Sequence, residues 1–282
     1  MPDLSQTLRR LKGLLSKERD LRMVWQVAKR GRCSRLVGTP HFFPYHFRGT
    51  LKRLIGPART VLVEGPLDEQ SMRRIVDAGS GALHVSLYHA LDPATRLRIC
   101  RDLGLAPPLD AQVLYRELFF GRPDEWLEAE LRSLKPWMAF FGLWTRYRSR
   151  EGGSYSLDLD AHRAAAELGK ELHPLETIEE QIAALEAIPL ERMVHFLAHV
   201  DWPEYYAEYV RRYLDGDLDG LMSAARVFPT FCDEVIDSRD PVLAKRMAPA
   251  LERGDACVFI GVTHCPGVLS RLRREGFEIR CE

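Results

Sequence analysis

The feature that most constrains this chain is a pattern that recurs near its two ends. Ser34-Arg35-Leu36-Val37-Gly38-Thr39-Pro40-His41 has a counterpart in Cys257-Val258-Phe259-Ile260-Gly261-Val262-Thr263-His264. Each is a short apolar run followed by Gly-x-x-His, with Pro or Gly close by. Such runs, bounded by turn residues, read as strands. Each segment is therefore expected to end in a tight turn that delivers a His at the strand's carboxyl end. Two such turns from distant parts of the chain can converge on one metal or one substrate. The Gly-x-x-His spacing alone is weak, since 20 Gly and 9 His give roughly 0.6 matches by chance. A third copy, Gly81-Ala82-Leu83-His84, follows Val76-Asp77-Ala78-Gly79-Ser80, which is no strand, and it reads as the chance match.

Further strands alternate with helices. Thr60–Val63 ends in Glu64 and is bounded by Gly56-Pro57 and Gly65-Pro66. Lys170–Pro174 reads as a short extended segment leading to Leu175-Glu176, and 256–260 and 277–281 read as later strands. Helices are expected at 159–168, at several places from 177 to about 227, at 239–253 and at 268–275. Alternation of this kind argues for an α/β fold: a mixed, partly parallel central sheet with helices on its faces. The helical stretch at about 67–150 is expected to be an insertion, within a single domain spanning 32–282. It is aromatic, with Trp126, Trp137, Phe140, Phe141, Trp144 and Tyr147, and Leu134, Trp137, Phe141 and Trp144 follow helical spacing and read as core or as a cleft wall.

Residues 1–31 carry Leu4, Leu8, Leu11 and Leu15 at helical spacing, with Arg9, Arg10, Lys12 and Lys17 between them. This reads as an amphipathic basic helix, docked on the domain or touching a membrane surface. The first 35 residues hold ten Lys/Arg against three Asp/Glu, yet formal net charge is zero. A neutral chain gives no electrostatic case for nucleic acid. No stretch approaches the length of a membrane span, and the start of the sequence shows no apolar signal core. The six Cys are scattered without a Cys-x-x-Cys pair. The expectation from these is a cytoplasmic protein with mostly buried thiols.

Function in open α/β sheets gathers beyond the carboxyl ends of the strands. His41, Glu64, Glu176 and His264 all fall at such positions. Two His with a carboxylate is the ligand set of catalytic zinc and of facial non-haem sites, and a metal there lowers the pKa of bound water. Taken one at a time, a strand-end His can simply cap a turn, and Glu64 or Glu176 can cap a helix. Other candidates are weaker. His195 and His199 lie four apart on a helix face shared with Phe196 and Leu197, without a zincin pattern. His46 reads as a loop His. Gly152-Gly153 lacks the context of a phosphate loop, and no Gly-x-Ser-x-Gly elbow is present.

At these residues the chain resembles the TraB/GumN family, which includes the Tiki proteases, and more distantly the erythromycin esterase and ChaN-like superfamily. The resemblance runs from about Arg32 to Glu282. It rests on Leu36-Val37-Gly38-Thr39-Pro40-His41, Val61-Leu62-Val63-Glu64, Leu134-Lys135-Pro136-Trp137, Leu175-Glu176-Thr177-Ile178-Glu179-Glu180-Gln181, Arg239-Asp240, and Gly261-Val262-Thr263-His264 with Pro266-Gly267-Val268-Leu269. It implies a paired Gly-x-x-His hydrolase site on a sheet that is pseudo-two-fold in arrangement. His41, Glu64, Glu176 and His264 carry over as catalytic groups or ligands of a divalent Zn, Mn, Co or Fe ion. Arg239 carries over as a cation near the site, able to hold a substrate carboxylate or a developing oxyanion; read alone, it is equally a helix-start salt bridge. The implied activity is a metal-dependent hydrolase acting on peptide bonds. Its alternatives are an esterase-like hydrolase with His as base and no metal, and a non-catalytic protein that binds a peptide or other ligand. Substrates would be peptides or small esters and amides. Two departures stand out: Asp240 where the family commonly has Asn, and Cys265 where an apolar residue is usual. Most bacterial relatives also carry an export signal or membrane segment, which this sequence does not show.

Overall fold

The computed structural model describes residues 17–81, 86–105, 124–153 and 155–282. The leucine-rich helix expected from Leu4 to Leu15 and the third-copy residue His84 lie outside them. Six strands form one mixed sheet: β1 (Val24–Lys29), β2 (Arg32–Thr39), β3 (Thr60–Val63), β4 (Glu171–Pro174), β5 (Ala256–Gly261) and β6 (Glu278–Cys281). Their spatial order is β4-β3-β5-β2-β1-β6. β4, β3, β5 and β2 run parallel to one another, and β1 and β6 join antiparallel at the other end. The α/β expectation therefore holds, with a parallel half that carries the two Gly-x-x-His segments on neighbouring strands, β2 and β5.

The parallel half explains the sequence pattern. β5 is buried at every position and β3 likewise, which is why both read as continuous apolar runs without alternation. β1 corrects the expected start of the domain at residue 32. Val24–Lys29 is a strand, not the end of a basic helix. Arg30 and Gly31, at φ 52° and 76°, form the two-residue turn between Lys29 and Arg32, a pair with positive φ that matches the twist of a hairpin. Val24 and Val27 then point into the core.

Thirteen α-helices are described: α1 (Arg48–Ile55), α2 (Glu69–Gly79), α3 (Leu87–Ala90), α4 (Pro93–Asp102), α5 (Glu125–Leu131), α6 (Pro136–Arg150), α7 (Leu157–Glu167), α8 (Ile178–Glu186), α9 (Leu190–His199), α10 (Trp202–Asp215), α11 (Leu218–Ala225), α12 (Asp240–Arg253) and α13 (Cys265–Arg274). α12 packs on β1, β2 and β5, and α7 on β3, β4 and β5. They seal one apolar core around the sheet, in which Leu36, Val37, Val61, Val258, Phe259 and Leu243 are at most 1% exposed. A second apolar cluster lies among the helices. It joins Trp137, Phe140, Trp144 and Tyr147 of α6 to Phe196, Leu197 and Trp202 from the stretch after β4. The helical layer thus draws on residues both before and after β4, rather than on 67–150 alone. Phe140 rather than Phe141 is the fully buried aromatic of α6. No described helix is long and apolar enough to cross a membrane.

The turn after β2 depends on close packing at Gly38. A Cβ there would sit 2.9 Å from Cys265 Sγ and 3.0 Å from Val262 Cγ2, both on the segment that carries His264. Gly38→Ala is expected to lower unfolding free energy by about 1–3 kcal/mol through overpacking. Chemical denaturation should show the loss, and unchanged stability would contradict the close approach of the two His-bearing turns.

Candidate active site

Each candidate side chain leaves the carboxyl end of a parallel strand. Val63 ends β3 and Glu64 follows. Pro174 ends β4, and the chain reaches Glu176 two residues later. The Glu176 amide donates to the Glu64 carbonyl at 2.9 Å, which locks the two turns together. α8 then begins with a capping box between Thr177 and Glu180. Neither Glu64 nor Glu176 is needed as a helix cap, and both carboxylates are free for the site. Gly261 ends β5, a single 3₁₀ turn spans Val262–His264, and His264 enters just before α13.

Arg239 gathers these residues. It stands immediately before α12 and sends its guanidinium into the cluster. Nε donates to Glu176 Oε1 at 2.9 Å, Nη2 donates to Glu64 Oε1 at 2.6 Å and also to Glu176 Oε2. Nη1 lies 3.3 Å from His264 Nε2 and 3.4 Å from the Val235 carbonyl. A flat fork with five donors suits this role, and a lysine would not reproduce it. Burial opposes the guanidinium charge, yet Glu176 and Glu64 outweigh it and raise the Arg239 pKa.

His264 is 3% exposed, and its Nδ1 lies 2.7 Å from Asp240 Oδ1. Its other nitrogen faces a guanidinium N–H, which can only donate. In a neutral ring this pattern places the proton on Nδ1 and the lone pair on Nε2. Asp240, the departure noted in the sequence, is the orienting carboxylate of this pair. Gly267 makes room for it, because a Cβ there would collide with the Asp240 carboxylate. Glu64 accepts the Gly261 N–H at 2.6 Å with Oε2. Burial favours its neutral form, but His264, Arg239, His41 and the Gly261 N–H together hold its pKa down at about 2.

His41 stands at the open side, with 59% of its side-chain surface exposed. Its Nδ1 lies 2.9 Å from Asp158 Oδ2, and Asp158 Oδ1 accepts from Thr39 Oγ1 at 2.6 Å. Shedding of water favours the neutral ring and Arg239 repels the charged one. Asp158, helped by Glu64, prevails and raises the His41 pKa to about 9. Asp158 was not a sequence candidate. It sits in the first turn of α7, where an acidic residue reads as an ordinary partner of the helix dipole. Nothing local links it to a His 117 positions away.

The remaining candidates fall elsewhere. Cys265 is fully buried against Gly38, and burial pushes its thiol pKa well up, as for an inert core thiol. His46 packs its ring against Tyr155 and is 7% exposed. His195 and His199 share an exposed face of α9 with ring centroids 5.0 Å apart.

The donors expected to hold a divalent metal are already engaged. Arg239 takes Glu64 Oε1 and both Glu176 oxygens and faces His264 Nε2, while Glu64 Oε2 takes the Gly261 amide. Among the described residues, no group of three or more His, Cys, Asp or Glu is arranged to hold a metal ion. A cation shared by His41, Glu64, Glu176 and His264 would have to displace a buried guanidinium from two carboxylates. As arranged, the four residues do not fit a metal.

The fold and the site together define a mixed α/β protein whose polar cluster, two His–Asp pairs around one Arg–Glu–Glu fork, sits beyond the carboxyl ends of parallel strands. A family model described as the TraB/PrgY/gumN family matches residues 23–280, and the chain belongs to that family. The match begins at the residue before β1, the strand that completes the hairpin with β2. A comparison with curated proteins gives no match.

The His41–Asp158 pair gives a pH signature. The folded pKa of His41 is raised from 6.5 to about 9, so its stabilising effect is complete below pH 6.5 and is lost as pH rises through 9. The melting temperature of the wild type is expected to exceed that of Asp158→Asn by a margin that narrows between those two pH values. A margin independent of pH over that range would contradict the pairing.

Proposed function

We propose that this chain is a hydrolase of peptides or small esters and amides that works by acid–base catalysis between its two His–Asp pairs, with no metal held by the candidate residues. The observation that carries this reading is the opposite setting of the two imidazoles around one guanidinium. His264 ties Nδ1 to Asp240 at 2.7 Å and turns Nε2 toward the Arg239 guanidinium. His41, with a pKa of about 9, holds a proton at neutral pH. One ring is buried between a carboxylate and a guanidinium and the other is open beside Asp158, and such unlike settings suit the two groups to opposite proton-transfer roles.

The roles follow by elimination within the cluster. Glu64, held near pKa 2, has too little basicity to take a proton from water. His41 carries its proton already. His264 is left as the base: water takes the place of the Arg239 N–H that faces Nε2, attacks the substrate carbonyl carbon and passes one proton to His264 Nε2, with Asp240 stabilising the imidazolium. The carbonyl electron pair moves onto oxygen, where the Arg239 guanidinium offsets the charge. When the tetrahedral species collapses, His41 gives its Nε2 proton to the leaving amine or alcohol. Glu64 and Glu176 hold Arg239 in place through each step.

A bound cation is the second reading, favoured by one observation. Four carboxylates, Glu64, Asp158, Glu176 and Asp240, surround a single guanidinium and two imidazoles, which leaves a surplus of negative charge. A divalent ion entering with Arg239 displaced would neutralise it.

Hydrolysis of peptide, amide and ester panels by the wild type, His41→Ala and His264→Ala separates these. Each variant is expected to lose about 10²–10⁴-fold in kcat, and wild-type rates should survive a strong chelator. kcat/KM should fall above about pH 9, where His41 loses its proton. Full activity in His264→Ala would sink the acid–base reading. Loss of activity on chelation, restored by a divalent ion, would support the second reading instead.

A further inference from the structure

The residue after His41 holds a costly backbone shape. Phe42 sits at φ 52°, in the left-handed region that a bulky side chain occupies only when its surroundings fix it there. What fixes it comes from α6. Arg148 Nη2 donates to the Phe42 carbonyl at 2.5 Å, and the Tyr206 hydroxyl lies 3.5 Å from the same oxygen. The guanidinium stacks over the Tyr206 ring and lies 5.6 Å from the Trp144 ring centroid.

Arg148 is an expensive residue to place there. It is 1% exposed, and its Nη1 has no hydrogen-bond partner. Among the described residues no carboxylate forms an ion pair with it. Burial draws its pKa down to about 9, which still leaves a cation at neutral pH. A buried guanidinium without a counter-ion costs stability. Its fit also needs Gly153, where a Cβ would lie 2.5 Å from Arg148 Nη2 and 3.0 Å from the Phe42 carbonyl oxygen.

The same stretch carries the partner of His41. Phe43 and Tyr155 exchange two backbone hydrogen bonds, at 2.7 and 3.1 Å, one residue beyond the Arg148 contact. Ser156 caps α7, and Asp158 follows in its first turn. The chain from Arg148 to Asp158 is therefore fastened to residues 42 and 43 at two points before Asp158 meets His41.

We propose that Arg148 is the positioning residue of the His41–Asp158 pair: its clamp on the Phe42 carbonyl holds the left-handed kink that sets His41 against Asp158 and toward the open side of the site. The clamp deepens the hydrolase reading, and it is tested without any substrate. A failed clamp leaves that reading standing, and a chain without hydrolase activity leaves the clamp standing.

The test is long-range proton–nitrogen NMR of the histidine imidazoles at one fixed pH. His41→Ala assigns the His41 signals, and Asp158→Asn marks where they fall when the pair is broken. Arg148→Met is expected to move the His41 signals onto the Asp158→Asn positions while those of His264 stay in place. Adding Phe42→Gly should return them, because glycine holds φ 52° without a clamp. If Arg148→Met does not fold, Gly153→Ala serves instead, since its Cβ displaces the guanidinium and should shift His41 the same way. Unmoved His41 signals in a folded variant overturn the proposal. So does a shift shared by His264 that Phe42→Gly fails to reverse, for that is general loosening.

Discussion

The site depends on one ionic fork. Arg239 holds two carboxylates that arrive from different strands and turns its remaining edge to His264. Its partners sit 175 and 63 residues away in sequence, so the fork forms only when β3, β4 and β5 are in register and α12 is docked. The reverse also holds. With Arg239 removed, Glu64 and Glu176 would be left as adjacent buried anions, a state that removal of one partner makes strongly unfavourable. The geometry of the candidate site and the closure of the sheet's carboxyl end are therefore one structural event.

Around that fork the fold separates two imidazoles by environment. His264 is buried, with a carboxylate at its back and a guanidinium in front. His41 is open, with Asp158 as its ion-pair partner. Both side chains leave similar Gly-x-x-His turns on neighbouring parallel strands, so the backbone treats them alike. The difference lies in which second residue each meets: Asp240 beside Arg239 at the start of α12, or Asp158 in the first turn of α7. Similar strand ends are given unlike chemistry by helices that come from elsewhere in the chain.

That division also explains what could be read in the sequence. His41, Glu64, Glu176 and His264 were legible because each follows a short apolar strand bounded by Gly or Pro, and strand ends are where α/β sheets place function. Arg239 was visible beside them through the family resemblance. Asp158 was not, since an acidic residue near a helix start has a sufficient local reason to be there. The ion-paired state of the carboxylates was hidden for a related reason. Two His and two Glu suggest a metal set when counted along a sequence, but the guanidinium that occupies the carboxylates belongs to a helix more than 60 residues from either of them. β1 was missed although Arg30-Gly31 between Val24–Lys29 and Arg32–Thr39 is a hairpin signal, because a run of basic residues drew the reading toward a helix.

The most direct test of this account is elemental analysis of untagged protein after incubation with Zn, Mn, Fe and Co and removal of free ion, wild type beside the His41→Ala/His264→Ala double variant. An Arg239-centred site predicts well below one ion per chain, with no difference between the two proteins. About one ion per chain in the wild type, lost in the double variant, would mean that the guanidinium yields its carboxylates to a metal, and the acid–base account would be wrong.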